Sequence, residues 1–111
     1  MADVLKILGQ LAAAATTTET LYTVPDLAST TTSSLVACNR TGGVLTYRVS
    51  VLASGAGADD KQFLYYGQTL AANTTFSAVL GLTLGQGDVV KTFVSATGMS
   101  FNLFGVETSL G

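Results

Sequence analysis

The side chains that most often carry out protein chemistry are scarce in this chain of 111 residues. It has no histidine and one cysteine, Cys38, so it lacks an imidazole base, a Cys/His nucleophile pair and a set of zinc ligands. Cys38 lies in an apolar run and is predicted to be a small buried hydrophobe rather than a reactive thiol. We therefore expect no enzymatic activity, no metal and no other cofactor.

Two further motifs could suggest a site but are better explained as loops. Asp59 and Asp60 lie beside Lys61 in a glycine-rich stretch, without the alternating ligand spacing of a calcium loop. The segment Gly85–Asp88 resembles a phosphate-binding loop, but a β-branched run follows it instead of a helix with lysine and serine or threonine. It is predicted to be a tight turn. No small-molecule substrate is indicated.

The tyrosines are the remaining candidates for ligand contact. Exposed tyrosine rings could stack against a sugar, which would suit a carbohydrate-binding module. Adjacent residues of a strand point to opposite faces, so Tyr65 and Tyr66 are more simply explained as one core and one interface residue. The rings concerned are Tyr22, Tyr47, Tyr65 and Tyr66.

The composition indicates a protein that packs against other subunits. Charged residues make up 11% of the chain and hydrophobic residues 48%, whereas charged residues usually contribute about 25%. A small monomer needs a charged surface to stay soluble, so much of this surface is expected to be covered. The net charge of −2 and the scattered basic residues offer no footprint for nucleic acid.

The chain shows no sign of secretion or membrane insertion. A single cysteine excludes an internal disulfide, and no charged leader precedes an uninterrupted apolar segment. No run approaches the roughly 18 apolar residues of a membrane span. We expect synthesis in a reducing cytoplasm.

A central β-hairpin is predicted over Ser34–Leu52, with its turn at Asn39–Gly43. The second strand alternates with a period of two, which is typical of a half-buried strand. Polar residues occupy one face of it, and the other face carries Leu45, Tyr47, Val49 and Val51.

Further short strands are separated by turn residues at intervals of about 8 to 12 residues. Asp26–Thr32 and Ala53–Lys61 are predicted loops, the second exposed and mobile. The pattern predicts an all-β fold of seven or eight strands, an antiparallel β-sandwich or small barrel, with jelly-roll and immunoglobulin-like orders both open. The other predicted strands are Thr20–Val24, Gln62–Leu70, Thr75–Leu82, Val89–Ser95 and Met99–Val106.

The domain is predicted to span residues 19–111, preceded by an N-terminal arm at residues 1–18. The arm contains apolar residues that suit one or two helical turns, but Gly9 interrupts them. An extended arm that crosses to the next subunit and a frayed terminus are equally consistent with this pattern. Deleting residues 1–18 is expected to leave a folded domain with weaker assembly, unless the arm completes the core.

Several strands are apolar on both faces, which repeats the indication of an oligomeric contact. Arg48, a rare charge on a strand, is the first residue to test as such a contact. The predicted subunit contacts are Leu5, Ile7, Leu8, Leu11, Val36, Arg48, Leu64 and Tyr66.

Six short strings in the chain carry a resemblance: Leu21–Pro25, Cys38–Arg40, Tyr47–Val49, Leu64–Tyr66, Ala71–Phe76 and Ser100–Gly105. From about Leu21 to Glu107 the chain resembles a family of small virion structural proteins of tailed bacteriophages. Members of that family often have an acidic residue after the paired tyrosines, where this chain has Gly67. A contact made by that carboxylate is therefore not carried over. The resemblance implies assembly on a phage particle.

These observations lead to a hypothesis about function. The chain is expected to be a capsid decoration or cement protein of a virion that binds the shell as a symmetric homo-oligomer, a trimer being one option, with the major capsid protein or other virion proteins as partners. A tail, neck or baseplate component is the structural alternative, and a carbohydrate-binding adsorption module is the third.

Overall fold

The structure, a computed structural model, describes residues 2–110; Met1 and Gly111, the outer bounds of the predicted arm and domain, lie outside the described residues. One short 3₁₀ turn, Asp60–Gln62, precedes the fifth strand. The strands found in the described part are β1 Asp3–Ala12, β2 Glu19–Thr23, β3 Ala28–Asn39, β4 Leu45–Leu52, β5 Phe63–Leu70, β6 Thr75–Val79, β7 Thr83–Leu84, β8 Val89–Val94 and β9 Met99–Ser109.

The strands form two sheets that pack face to face. The first sheet has the order β1-β9-β3-β6, with the two-residue β7 also paired to β3, and the second has the order β2-β8-β4-β5. All pairs of named strands are antiparallel. The predicted all-β antiparallel sandwich is confirmed. Because most successive strands alternate between the two sheets, the order is that of a jelly roll.

The predicted central hairpin over Ser34–Leu52 is wrong. Both strands exist, but β3 pairs with β6, β7 and β9, whereas β4 pairs with β5 and β8. The segment between them crosses from one sheet to the other. Alternation identifies a strand and its buried face, but it contains no information on which strand lies alongside. The predicted core face of β4 is confirmed for Leu45, Tyr47 and Val49, while Val51 is half-buried.

The polar loop predicted over Asp26–Thr32 is also partly wrong, because β3 already begins at Ala28. Thr30 and Thr32 are buried in this part of the strand. Their hydroxyl groups are satisfied there: Thr30 Oγ1 bonds to the Tyr22 hydroxyl, and Thr32 Oγ1 donates to the Leu80 carbonyl. Threonine is β-branched and suits a strand once its hydroxyl has a partner.

The segment predicted as an arm contributes a strand to the sandwich of its own chain. Residues 3–12 form β1, which pairs with β9 along its length. Leu8 and Ala13 are buried in the core. This placement contradicts a frayed terminus and favours the alternative in which these residues complete the core. A contact with a neighbouring subunit remains a prediction.

The core lies between the sheets and has an aromatic centre. The Tyr47 ring lies 5.9 Å from the Phe76 ring and 6.1 Å from the Phe101 ring, measured between centroids. The loop over residues 53–61 is exposed, as predicted. Within residues 2–110, no helix has the length and apolar character needed to cross a membrane.

Candidate assembly surfaces

The structure divides the predicted subunit contacts into three groups. Leu8 lies in the core of its own chain and the half-buried Leu11 packs against it, while their contact with a neighbouring subunit remains a prediction. A β-bulge between Ile7 and Gly9 turns Leu8 inward. The other six lie on two surfaces at opposite sides of the sandwich: Leu5, Ile7 and Val36 on the first sheet, and Arg48, Leu64 and Tyr66 on the second.

The outer surface of the first sheet is largely uncharged, and we call it the apolar face. Leu5 lies beside Val106, and Ile7 lies beside Phe104, in the β1–β9 register. Leu5 is 84% exposed. Serine, threonine and asparagine fill the positions between the apolar residues. The apolar face consists of Leu5, Ile7, Val36, Val79, Phe104 and Val106.

Charges occur only at the two ends of the apolar face within residues 2–110. Asp3 accepts a hydrogen bond from the Thr108 hydroxyl at 2.8 Å, and Arg40 Nε donates to Ser100 Oγ at 2.7 Å. The strand β1 also forms an edge of the first sheet. An edge strand with unpaired backbone groups is a template for pairing with another chain. The face and its edge therefore resemble a surface that a neighbour covers.

The second sheet presents a different surface, built around Arg48. Its guanidinium carbon lies 4.2 Å from the centroid of the Tyr66 ring and 4.7 Å from that of the Phe93 ring. Phe63 packs edge-on against Tyr66, with centroids 4.9 Å apart. Aromatic contacts hold the guanidinium through its planar faces and leave its N–H groups available at the edge.

Beside Arg48 is a cleft of about 90 Å³, which we call the arginine cleft; Arg48, Ser50, Phe63, Lys91 and Phe93 line it. The loop before β5 closes one side, where Asp59 accepts a hydrogen bond from the Lys61 amide. Among residues 2–110 the one ion pair joins Lys6 to Glu107, at 3.1 Å. Both cations of the cleft are thus without a carboxylate partner.

A buried polar group joins the two sheets at the other side of the core. The Tyr22 hydroxyl donates to Glu107 and lies 2.7 Å from Thr30 Oγ1. Burial, followed by the hydrogen bond to Glu107, raises the pKa of Tyr22 to about 12. The hydrogen bond from Tyr22 lowers the pKa of Glu107, and Lys6 lowers it further. This group has a structural role. Its members lie far apart in the chain, so no sequence motif indicated that they are in contact.

Asn39 was predicted to be a turn residue, but its side chain is fully buried. Its Nδ2 donates to the carbonyls of Gly43, Leu70 and Ala71 at 2.8, 3.0 and 3.3 Å. Its Oδ1 accepts from the Thr41 amide at 2.9 Å and from the Thr41 hydroxyl at 2.7 Å. Asn39 therefore joins two loops at one end of the sandwich.

The tyrosines do not form an exposed platform for a sugar. Tyr22 and Tyr47 are buried, and burial raises the pKa of Tyr47, with the nearby Tyr65 adding to it. Tyr65 packs against Tyr47 and Phe76. Tyr66 is 61% exposed, but Arg48 covers one face of its ring. Within the described residues no group of histidine, cysteine and carboxylate side chains could hold a metal ion.

Comparison with known proteins shows the fold. No protein-family model and no curated protein match the chain. A chain in the structure of infectious bursal disease virus, Gx strain, is similar with a TM-score of 0.52 and 15% identity over 99% of this chain. A chain of the T13 particle of the same virus gives 0.52 and 13% over 95%, and one of the Gt strain gives 0.50 and 12% over 95%.

The chain spans about a third of the length of those viral chains, with 32%, 30% and 32% covered. At these identities the similarity shows a shared fold.

Proposed function

We propose that this chain is a structural protein of a virion, and specifically a capsid decoration or cement protein of the tailed-bacteriophage kind that binds the shell as a symmetric homo-oligomer. The observation that carries the proposal is the apolar face. The outer sheet surface of a monomeric protein in water is normally polar. This face instead has a leucine that is 84% exposed and has charges only at its ends. A neighbouring subunit or the capsid shell would cover it.

The similarity to chains of virus particles supports the same proposal from another direction, as does the resemblance of the six sequence strings to virion proteins. No chemistry is required of such a protein. Many identical copies bind the shell together, so modest contacts at each subunit add up through avidity.

Quantitative mass spectrometry of purified virions tests the proposal. A cementing role requires the chain to be present in a fixed ratio to the major capsid protein, with many copies in each particle. A few copies in each particle would instead support a tail, neck or baseplate component, because those structures contain fewer subunits. Absence from purified particles would contradict both structural roles.

A matched pair of variants connects the copy number to the apolar face. Ile7→Lys places a charge among the exposed apolar side chains of the face, beside Phe104, whereas Thr83→Lys places one on the short β7 at the opposite side of the same sheet. Ile7→Lys is expected to reduce the copy number strongly, because the charge must be desolvated when a partner covers it. Thr83→Lys is expected to leave it nearly unchanged. Equal copy numbers in the two variants would exclude the apolar face as the attachment surface.

A further inference from the structure

We propose that the arginine cleft of one copy receives Asp26 and Leu27 of the next copy. This contact would join neighbouring subunits of the oligomer proposed above, so it rests on that proposed function. It assigns the cleft a ligand of defined chemistry, a protein carboxylate followed by an apolar side chain. It also makes the contact heterologous, because two different surfaces of the chain meet.

The cleft is built to receive an anion. Two cations, Arg48 and Lys91, and one carboxylate, Asp59, line it, so positive charge is in excess. Asp59 already accepts a hydrogen bond from the Lys61 amide, and neither cation forms an ion pair within residues 2–110. Arg48 is held between the rings of Tyr66 and Phe93, so its N–H groups are oriented before any partner arrives. A fixed guanidinium is well suited to bind a carboxylate through two parallel hydrogen bonds.

The volume of the cleft limits the size of the anion that it can bind. Its volume of about 90 Å³ lies far below the roughly 300–1,000 Å³ of small-molecule sites. A carboxylate on a short side chain fits this scale, whereas a cofactor or a nucleotide does not. The apolar walls, Phe63 and Phe93, add contact area for an apolar neighbour of that carboxylate.

The chain itself presents such a ligand in the connection between β2 and β3. Asp26 is exposed, and its carboxylate has no partner among the described residues. Leu27 is 64% exposed and has a φ of 56°, a left-handed conformation that leucine rarely adopts. Its amide donates to Gln86 Oε1 at 2.8 Å, and its carbonyl accepts from the Leu110 amide at 2.8 Å. An apolar side chain is thus held outward in a strained, fixed conformation, which is typical of functional positions.

The other acidic residues match the cleft less well. Asp60 also has an unengaged carboxylate, but it precedes Lys61, which would bring a third cation to the cleft. Asp88 accepts hydrogen bonds from the amides of Ser54 and Gly85, and Glu19 accepts one from Ala14. Charge and apolar character together therefore favour Asp26 with Leu27.

Sedimentation velocity on the full-length chain tests the contact with three single variants. Asp26→Ala and Arg48→Ala each remove one side of the contact and are expected to weaken self-association at least about tenfold. Asp60→Ala removes the other free carboxylate and is expected to leave self-association unchanged. A wild-type chain that stays monomeric at all accessible concentrations would overturn the proposal, as would an Asp26→Ala variant that associates as tightly as the wild type.

Mixing the two defective variants gives the sharper result. An Asp26→Ala chain keeps a normal cleft, and an Arg48→Ala chain keeps a normal Asp26, so one native contact forms between them. Both remaining surfaces of that pair are defective, and growth stops at a one-to-one dimer. The appearance of this dimer also shows that both variants are folded. No association in the mixture, with both chains folded by circular dichroism, would refute the pairing of these two surfaces.

The self-association experiment and the copy number in purified virions can each succeed or fail independently of the other. If the mixed dimer forms but the chain is absent from virions, the contact stands and the virion role fails. If the chain is abundant in virions but Asp26→Ala associates normally, the virion role stands and the contact fails. Loss of association in Arg48→Ala alone would mean that the cleft binds a different carboxylate, which also contradicts the proposal.

Discussion

At the scale of single residues, the fold depends on several polar side chains that are buried and hydrogen-bonded, whereas the buried Thr92 hydroxyl has no partner within residues 2–110. Asn39 is the clearest case, because its amide donates to three carbonyls and accepts from the amide and hydroxyl of Thr41. A buried amide with full satisfaction stabilises one loop arrangement over others, since every alternative leaves a polar group without a partner.

Asn39→Asp is expected to lower the free energy of unfolding by about 3 kcal/mol or more, because a carboxylate cannot donate and would face three carbonyl oxygens. Urea unfolding at neutral pH measures the change. Asn102→Asp is the matched control, since Asn102 is half-buried and its oxygen accepts a hydrogen bond from Gln10 that a carboxylate can also accept. Similar stability of the two variants would show that the Asn39 network contributes little.

The Tyr22 group predicts how stability depends on alkaline pH. The pKa of Tyr22 is raised from 10.0 to about 12 in the folded chain, so the unfolded chain loses this proton at a lower pH than the folded chain does. Its contribution is fully present below pH 10 and is lost as the pH rises through about 12. Unfolding midpoints measured across this range should fall for the wild type.

Tyr22→Phe is expected to reduce that alkaline decline, although it also lowers the stability at neutral pH by leaving Thr30 with one partner fewer. The control is Tyr66→Phe, which removes an exposed hydroxyl and should retain the decline. If the slopes for wild type and Tyr22→Phe are the same, Tyr22 is not the group responsible.

At the scale of elements, the sandwich depends on how closely the edge strands of its two sheets approach. A Cβ atom at Gly9 in β1 would lie 2.2 Å from the Leu21 carbonyl oxygen of β2. Because that oxygen belongs to the backbone, a larger residue must push the strands apart. Gly9 thus allows the bulge that turns Leu8 into the core.

Gly9→Ala is expected to lower the free energy of unfolding by about 1–3 kcal/mol, the usual cost of forcing extra volume into a packed site. Thermal unfolding measures it. Gly81→Ala is the control, because a Cβ atom there meets nothing within 4 Å. A Gly9→Ala variant as stable as this control would mean that β1 can move away from β2 without cost.

The strands also show which features of the fold could be predicted from the sequence and which could not. Alternation and turn residues predicted β2, β5, β6, β8 and β9, together with the buried face of β4. They could not predict that β3 and β4 belong to different sheets, since the partners of a strand depend on contacts distant in the chain. Likewise, Leu5 and Leu8 look equivalent in sequence, and only the bulge beside Gly9 separates an outward from an inward side chain.

The candidate surfaces were predictable to a similar extent. Arg48 was predicted as a subunit contact because it is a charge on a strand, but the aromatic rings that hold it come from β5 and β8. Phe104 and Val106 were inside a predicted strand, yet their place beside Ile7 and Leu5 follows from the register of β1 with β9. Residue types alone indicate candidates, whereas their grouping into a surface requires the topology.

At the scale of the whole molecule, the sandwich presents two unlike surfaces on opposite sides. The apolar face lacks charge along its centre, and the arginine cleft on the other sheet is cationic within a chain whose net charge is −2. Two unlike surfaces allow a subunit to contact its neighbours with one and the shell with the other. A heterologous contact between subunits closes into a ring when its rotation allows, and otherwise forms an open chain.

Strand β1 is expected to contribute to folding and to assembly through different side chains. Leu5 and Leu8 are the same residue type on the same strand, but Leu5 is 84% exposed and Leu8 is 9% exposed. Leu8→Ala is expected to lower the free energy of unfolding by about 2–3 kcal/mol, because it leaves a cavity in the core. Leu5→Ala should leave stability within about 0.5 kcal/mol of the wild type while reducing attachment to particles.

Urea unfolding measures the first effect and co-sedimentation with particles that lack the protein measures the second. If Leu5→Ala lowers stability as much as Leu8→Ala does, β1 serves the fold with both of its faces. If Leu5→Ala changes neither stability nor attachment, the apolar face is not the surface that meets the shell. Whichever result Leu5→Ala gives, deletion of residues 1–18 should unfold the domain, because it removes β1 together with the buried Leu8 and Ala13.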